Sequence, residues 1–212
     1  FFDDYHTVKN AYKAFKDMGA VYLFTETDWR IGDPFHALSF YVRAKLMWDL
    51  DSDVNALINQ FIDEYYKAGA PQVRQYFNAL RANYKRLEAE YTAAGKEFSL
   101  LVMETDGYTR EEYWKKTWLL DMMDLLDDAL AEVEKTENAE EREKVRKRIQ
   151  LEKTSLIFHM IQIYSGELST AQLTEYINDF ERYAAEGNLV RFKQRQEIQT
   201  VEELLNSWRT LI

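Results

Sequence analysis

Turn-forming residues are scarce in this chain. Its 212 residues include seven glycines and two prolines, whereas a sandwich or barrel of many short strands needs such residues at nearly every corner. A many-stranded sheet is therefore disfavoured for the chain as a whole, and the intervals between glycines must hold long elements. Most of those intervals carry a helical period. Residues 7–18 set Val8, Ala11, Tyr12, Phe15 and Met18 at steps of three and four, and Gly19 follows where a left-handed C-terminal cap is expected. A further helix is expected from about 36 to 48, after a turn at Gly32-Asp33-Pro34.

The next helices are the most regular. Asp51, Ser52 and Asp53 offer N-caps to a segment in which Val54, Leu57, Ile58, Phe61, Ile62 and Tyr65 recur on one face. Pro71 suits the first turn of the following helix, whose stripe of Val73, Phe77, Leu80, Tyr84, Leu87 and Tyr91 runs to about residue 92. Thr109 with Glu112 fits a capping box opening a long helix with Leu119, Met122, Leu126, Leu130 and Val133 on one side. After a break at 136–138, residues 139–165 carry Val145, Ile149, Leu156, Met160 and Ile163, so 109–165 is expected to form an antiparallel hairpin. Ser169 or Thr170 caps a helix bearing Leu173, Ile177, Phe180 and Ala184, and a last helix holds Val201, Leu204, Leu205, Trp208 and Leu211. The glycine-bounded stretch 95–107 divides the chain into residues 1–94 and a helical domain of residues 95–212.

One segment breaks the helical period. Val21-Tyr22-Leu23-Phe24 is a short apolar run rich in strand formers, and it reads as a fully buried strand. A strand exposes N–H and C=O groups along both edges, so something must pair with it. Helix, glycine, buried-type strand, polar loop and helix is the order found at the last strand unit of an α/β barrel or doubly wound sheet. The fold class expected is thus mainly α: a helical, bundle-like domain preceded by one helix–strand–helix unit resembling the end of a (β/α)8 barrel. On that reading Glu26, Asp28, Trp29 and Arg30, just past the strand, lie on the face where such folds bind ligands. The simpler reading is a surface loop on a helical protein whose strand pairs with residues 98–103.

A composition of 46% hydrophobic and 30% charged residues is that of a folded chain. No apolar run approaches the roughly 20 residues of a spanning helix. A formal charge of −10 disfavours nucleic acid and anionic membrane as partners. With no cysteine there is no disulfide, thiolate metal site or cysteine nucleophile. The first residue is Phe, which points to a piece of a longer protein.

Beyond these patterns, the run Tyr41-Val42-Arg43-Ala44-Lys45-Leu46-Met47-Trp48-Asp49, then Asp53-Val54, Phe61, Tyr65-Tyr66, Ala70-Pro71 and Tyr76 resembles a family of bacterial glycoside-hydrolase-like proteins. Its members carry a domain of unknown function after or within a (β/α)8 barrel similar to those of the β-N-acetylhexosaminidases. The resemblance covers roughly residues 5 to 90. It departs at Leu50, where the family usually has proline, and at Lys67, where it usually has glycine straight after the double tyrosine; both departures fall in turns. The resemblance implies a secreted or periplasmic parent protein, itself a candidate glycoside hydrolase, with this chain contributing no catalytic residue.

Glycoside hydrolysis needs two carboxyl groups across a sugar-sized cleft. Glu26 and Asp28 are two apart in extended chain, so both face one side, and Trp29 offers an apolar ring to a pyranose. They are candidate substrate-binding residues rather than a catalytic pair. Asp121, Asp124, Asp127 and Asp128 read as a solvated acidic face, and His6, His36 and His159 lack zinc spacing. His159, between Phe158 and Met160, reads as a satisfied core or interface histidine. The sign-alternating run from Glu132 to Lys153 reads as a solvated hairpin tip. No phosphate loop, nucleophile elbow or dinucleotide fingerprint is present, so no cofactor and no metal is expected. The expectation is a structural role: the helical domain braces a barrel and walls a glycan cleft, with the rest of the barrel and carbohydrate as partners. The alternative is a non-catalytic helical module that binds a protein partner through the 109–165 hairpin.

Overall fold

The structure is a computed structural model, and it describes residues 4–24, 33–96, 110–190 and 200–212. Eight α-helices are found among them: α1 (Tyr5–Asp17), α2 (His36–Trp48), α3 (Val54–Tyr66), α4 (Ala70–Ala93), α5 (Lys116–Glu134), α6 (Ala139–Tyr164), α7 (Thr170–Glu186) and α8 (Val201–Arg209). The mainly helical expectation holds.

Local chemistry accounts for most boundaries. Gly19 sits at φ 87°, and the N–H groups of Gly19 and Ala20 donate to the carbonyls of Lys16 and Phe15, closing α1 with a complete Schellman motif. Asp53 caps α3 by accepting from the Ala56 N–H at 2.7 Å. Of the two caps expected for α7, Ser169 is used, in a reciprocal box with Gln172. The link between α5 and α6 ends at Asn138, whose side chain accepts from the Glu141 N–H.

α5 and α6 form the expected antiparallel hairpin: Asp127 pairs with Lys153, and Lys116 at the start of α5 pairs with Glu167 just beyond α6 at 2.9 Å. α6 packs between α5 and α7 and also touches α3. A continuous core takes in Val42, Ile62, Phe77, Leu126, Ile149, Phe180 and Trp208. Helices on both sides of residue 95 therefore share one interior. Where the turn before α4 meets the hairpin, Gly69 is buried, and a methyl group there would lie 2.6 Å from Ile149 Cδ1.

Three expectations are corrected. First, residues 21–24 are not a buried strand. The segment is irregular, no strand occurs among the described residues, and Val21, Tyr22 and Phe24 are exposed, Tyr22 at 83%. Only Leu23 packs against the core. A strand needs a sheet edge to satisfy its backbone, and no described residue supplies one. The alternative partner, 98–103, lies outside the described residues, as does most of the 95–107 divide. Second, the long helix begins at Lys116, not next to Thr109. Thr109 is outside the described residues, and Glu112 accepts a bond from the Tyr91 hydroxyl at 2.8 Å, a tertiary contact. Third, the charged run from 132 is not solvated to its end, because Glu152 and Lys153 are buried.

Candidate functional site

The first two helices set the geometry. Asp4, at the head of α1, pairs with Arg43 at 2.6 Å, and Lys9 donates to the Ser52 carbonyl at 2.8 Å, beyond the end of α2. Partners advance along both helices in the same sense, so α1 and α2 run side by side and parallel. A parallel pair needs a return segment as long as the helices themselves, and residues 19–35 provide it.

α2 is apolar on two faces. Leu38, Val42 and Leu46 are fully buried on one. On the opposite face Phe40, Ala44, Met47 and Trp48 are exposed, Trp48 at 93%. α1 adds Phe15 and Met18, the end of a stripe whose first part, Tyr5, Val8 and Tyr12, is buried. Together with Val21, Tyr22 and Phe24, these side chains gather most of the exposed large apolar residues into positions 15–48. Burying a large apolar side chain is worth about 1.5–3 kcal/mol, so a helix with two apolar faces is built to lie between two layers. Its buried face packs on α1 and α3.

The return segment is anchored at its far end from inside the core. Phe35, the residue before α2, has φ 57° and ψ 29°, a left-handed conformation that is uncommon for an aromatic residue. Its ring is buried against Tyr66, Tyr76 and Phe77, with centroids 6.3, 5.5 and 5.0 Å away. Its N–H donates to Glu152 Oε2 at 2.9 Å, while the Tyr66 hydroxyl donates to Glu152 Oε1 at 2.6 Å. One carboxyl thus ties α6 to the end of α3 and to the turn that starts α2. Burial pushes this carboxyl up to about 7, against the lowering effect of the two hydrogen bonds. Burial, with the charge of Glu152, also holds the Tyr66 and Tyr76 hydroxyls well above the usual phenol range. The Tyr76 hydroxyl is buried and has no hydrogen-bond partner among the described residues.

Glu26, Asp28, Trp29 and Arg30 lie outside the described residues; Phe24 and the Asp33–Phe35 turn flank them in sequence. The remaining candidates are placed. Asp121, Asp124, Asp127 and Asp128 are exposed on α5, and among the described residues no group of three or more His, Asp or Glu side chains is arranged to hold a metal ion. His159 is a bonded core residue, with Nδ1 2.6 Å from the Ser155 carbonyl and its ring 4.4 Å from that of Trp114. No described helix is long and apolar enough to cross a membrane. The residue missed in the sequence is Glu152. The signal for it was that α6, from Leu156 to Ile161, carries apolar residues on every side (Leu156, Ile157, Phe158, Met160 and Ile161), as a central helix must, so its preceding turn is also drawn into the core.

Residues 1–78 match the model of a family described as a domain of unknown function (DUF4838). The match takes in α1, the return segment, α2, α3 and the first turns of α4, the same part of the chain that carries the resemblance to a domain of unknown function. No curated protein matches the chain. No solved structure matches it either.

Proposed function

We propose that α1, the return segment and α2 are the closing unit of a (β/α)8 barrel in a carbohydrate-active, glycoside-hydrolase-like protein, and that the remaining helices brace that barrel. The observation that carries this reading is the parallel pair α1–α2 with a second, exposed apolar face on α2. In a barrel, successive helices run parallel and each strand returns antiparallel to them, and every helix turns an apolar face to the sheet. Residues 20–24 then take up strand pairing once a sheet edge is offered, and Val21, Tyr22 and Phe24 lose their exposure. Glu26, Asp28 and Trp29 follow that strand at its C-terminal end, where they wall a glycan cleft. The chain supplies no catalytic carboxylate and by itself hydrolyses nothing. A protein-binding role for the hairpin is less favoured, because α5 and α6 leave only Leu120 as a large exposed apolar side chain.

Amide hydrogen exchange tests the strand. In a chain extended upstream through the barrel, the amides of 21–24 are expected to exchange at least about 100-fold more slowly than in the present chain, as paired strand amides do. Equal exchange in both would sink the reading. Titration of the extended protein with glycans addresses the cleft: Trp29→Ala is expected to weaken binding about tenfold or more, the loss of a stacked ring.

A further inference from the structure

Glu152 is an ionisable group in the middle of a core, and nothing in the proposed role accounts for it. No cationic side chain pairs with it among the described residues. Arg148, one turn earlier on α6, is engaged elsewhere: it donates to the Tyr65 carbonyl at 2.7 Å and lies over the Tyr65 ring at 3.7 Å. Lys153 pairs with Asp127 on α5. The groups facing the carboxyl from the helices around it are phenols: Tyr66 and, at longer range, Tyr65 from α3, and Tyr76 from α4, with Tyr5 of α1 beside Tyr66. Burial pushes the Tyr65, Tyr66 and Tyr76 hydroxyls up, so these three stay neutral throughout the physiological range. Between about pH 5 and 8, then, this cluster has a single proton to lose, and it is held by the group that also fixes the left-handed Phe35 turn.

We propose that Glu152 is a pH-sensitive latch on the return segment: protonated, it clamps the Phe35 turn and the start of α2 onto α6; ionised, it draws water into the core and releases that turn. A neutral carboxyl accepts from the Phe35 N–H and shares a hydrogen bond with Tyr66 at no cost in buried charge. An ionised one in the same place is a desolvated anion with two neutral donors, and an unpaired buried charge is relieved by local opening toward water. The turn released is the one that starts α2, and its opening exposes the buried Phe35 ring to water. The inference does not depend on the barrel reading.

The folded-state value, about 7, lies above the ordinary carboxyl value of 4.5. Folding therefore takes up a proton between the two. The stabilisation that results is complete below about pH 4.5 and is lost as pH rises through about 7.

Two measurements on the intact chain test the latch. Carbon-13 titration of the Glu152 carboxyl in the wild type is expected to give an apparent value above about 6; a value below about 5 overturns the proposal, because the group is then ionised whenever the protein is folded. Hydrogen exchange of the Phe35 amide, corrected for base catalysis, is expected to quicken about tenfold between pH 6 and 8 in the wild type. It should stay flat in Glu152→Gln, which keeps an acceptor for the amide and a partner for Tyr66. An identical pH response in Glu152→Gln, or the same quickening at the amides of α7, overturns it. Should the variant fail to fold, the carbon-13 titration decides alone.

Discussion

Lys67 occupies a position that penalises any side chain. Its φ of 47° and ψ of −120° match the first central residue of a type II′ turn, a conformation that belongs to glycine. The family resembled by this part of the chain usually has glycine there, directly after the double tyrosine. The departure noted in the sequence is thus a strained residue in the structure, held because Tyr66 before it is locked in the core and Gly69 after it is pressed against Ile149. Lys67→Gly is expected to raise the melting temperature by about 2–4 °C, strain relief outweighing the added freedom of the unfolded chain. The lost pair with Glu64 is exposed and adds little. Thermal denaturation followed by circular dichroism checks this, and a lowered midpoint would refute it. Glycine's absence was legible in the sequence; that it mattered was not, since a backbone angle is set by what fixes the neighbours. Glu152 shows the same limit. Seven charged residues within Glu143–Lys153 looked like one wet surface, and only the position of α6 between α5 and α7 decides which of them are dry.

Helices were legible where the period and the cap agree. α2, α3, α4 and α7 fall within a residue or two of their expected bounds because Asp53, Pro71 and Ser169 act locally. Where tertiary contact competes, the sequence misleads: Glu112 binds Tyr91, and α5 waits until Lys116. The choice between Ser169 and Thr170 as the cap of α7 also needed coordinates. Ser169→Ala is expected to cost about 1 kcal/mol in urea denaturation, with Thr170→Ala within about 0.5 kcal/mol of the wild type. Comparable losses from both would mean that the box with Gln172 does not carry the cap. Residues 21–24 failed as a strand for a reason of another kind. Apolar, β-prone sequence records what a segment is suited to, and pairing requires an edge that other residues must bring.

For the molecule as a whole, the shared interior predicts joint behaviour. Leu126 is fully buried on α5 within a core that also takes in α1, α2 and α3. Leu126→Ala is expected to cost about 2–5 kcal/mol. The loss should register equally at a probe beside Trp208 in α8 and at one beside Tyr12 in α1, with coincident transitions. Separate midpoints would show that the two ends unfold independently. The contact between Phe35 and Glu152 spans 117 residues of sequence. At roughly 5–20 residues per second, a ribosome that has just made Phe35 needs about 6–23 s more to reach its hydrogen-bond acceptor. Throughout that interval the Phe35 turn lacks its acceptor on α6, although α1 is already made and α3, which also packs on α2, follows soon after. The newborn chain therefore forms the packing of α2 early and closes the Phe35 turn late, so this turn is among the last contacts to be made during synthesis.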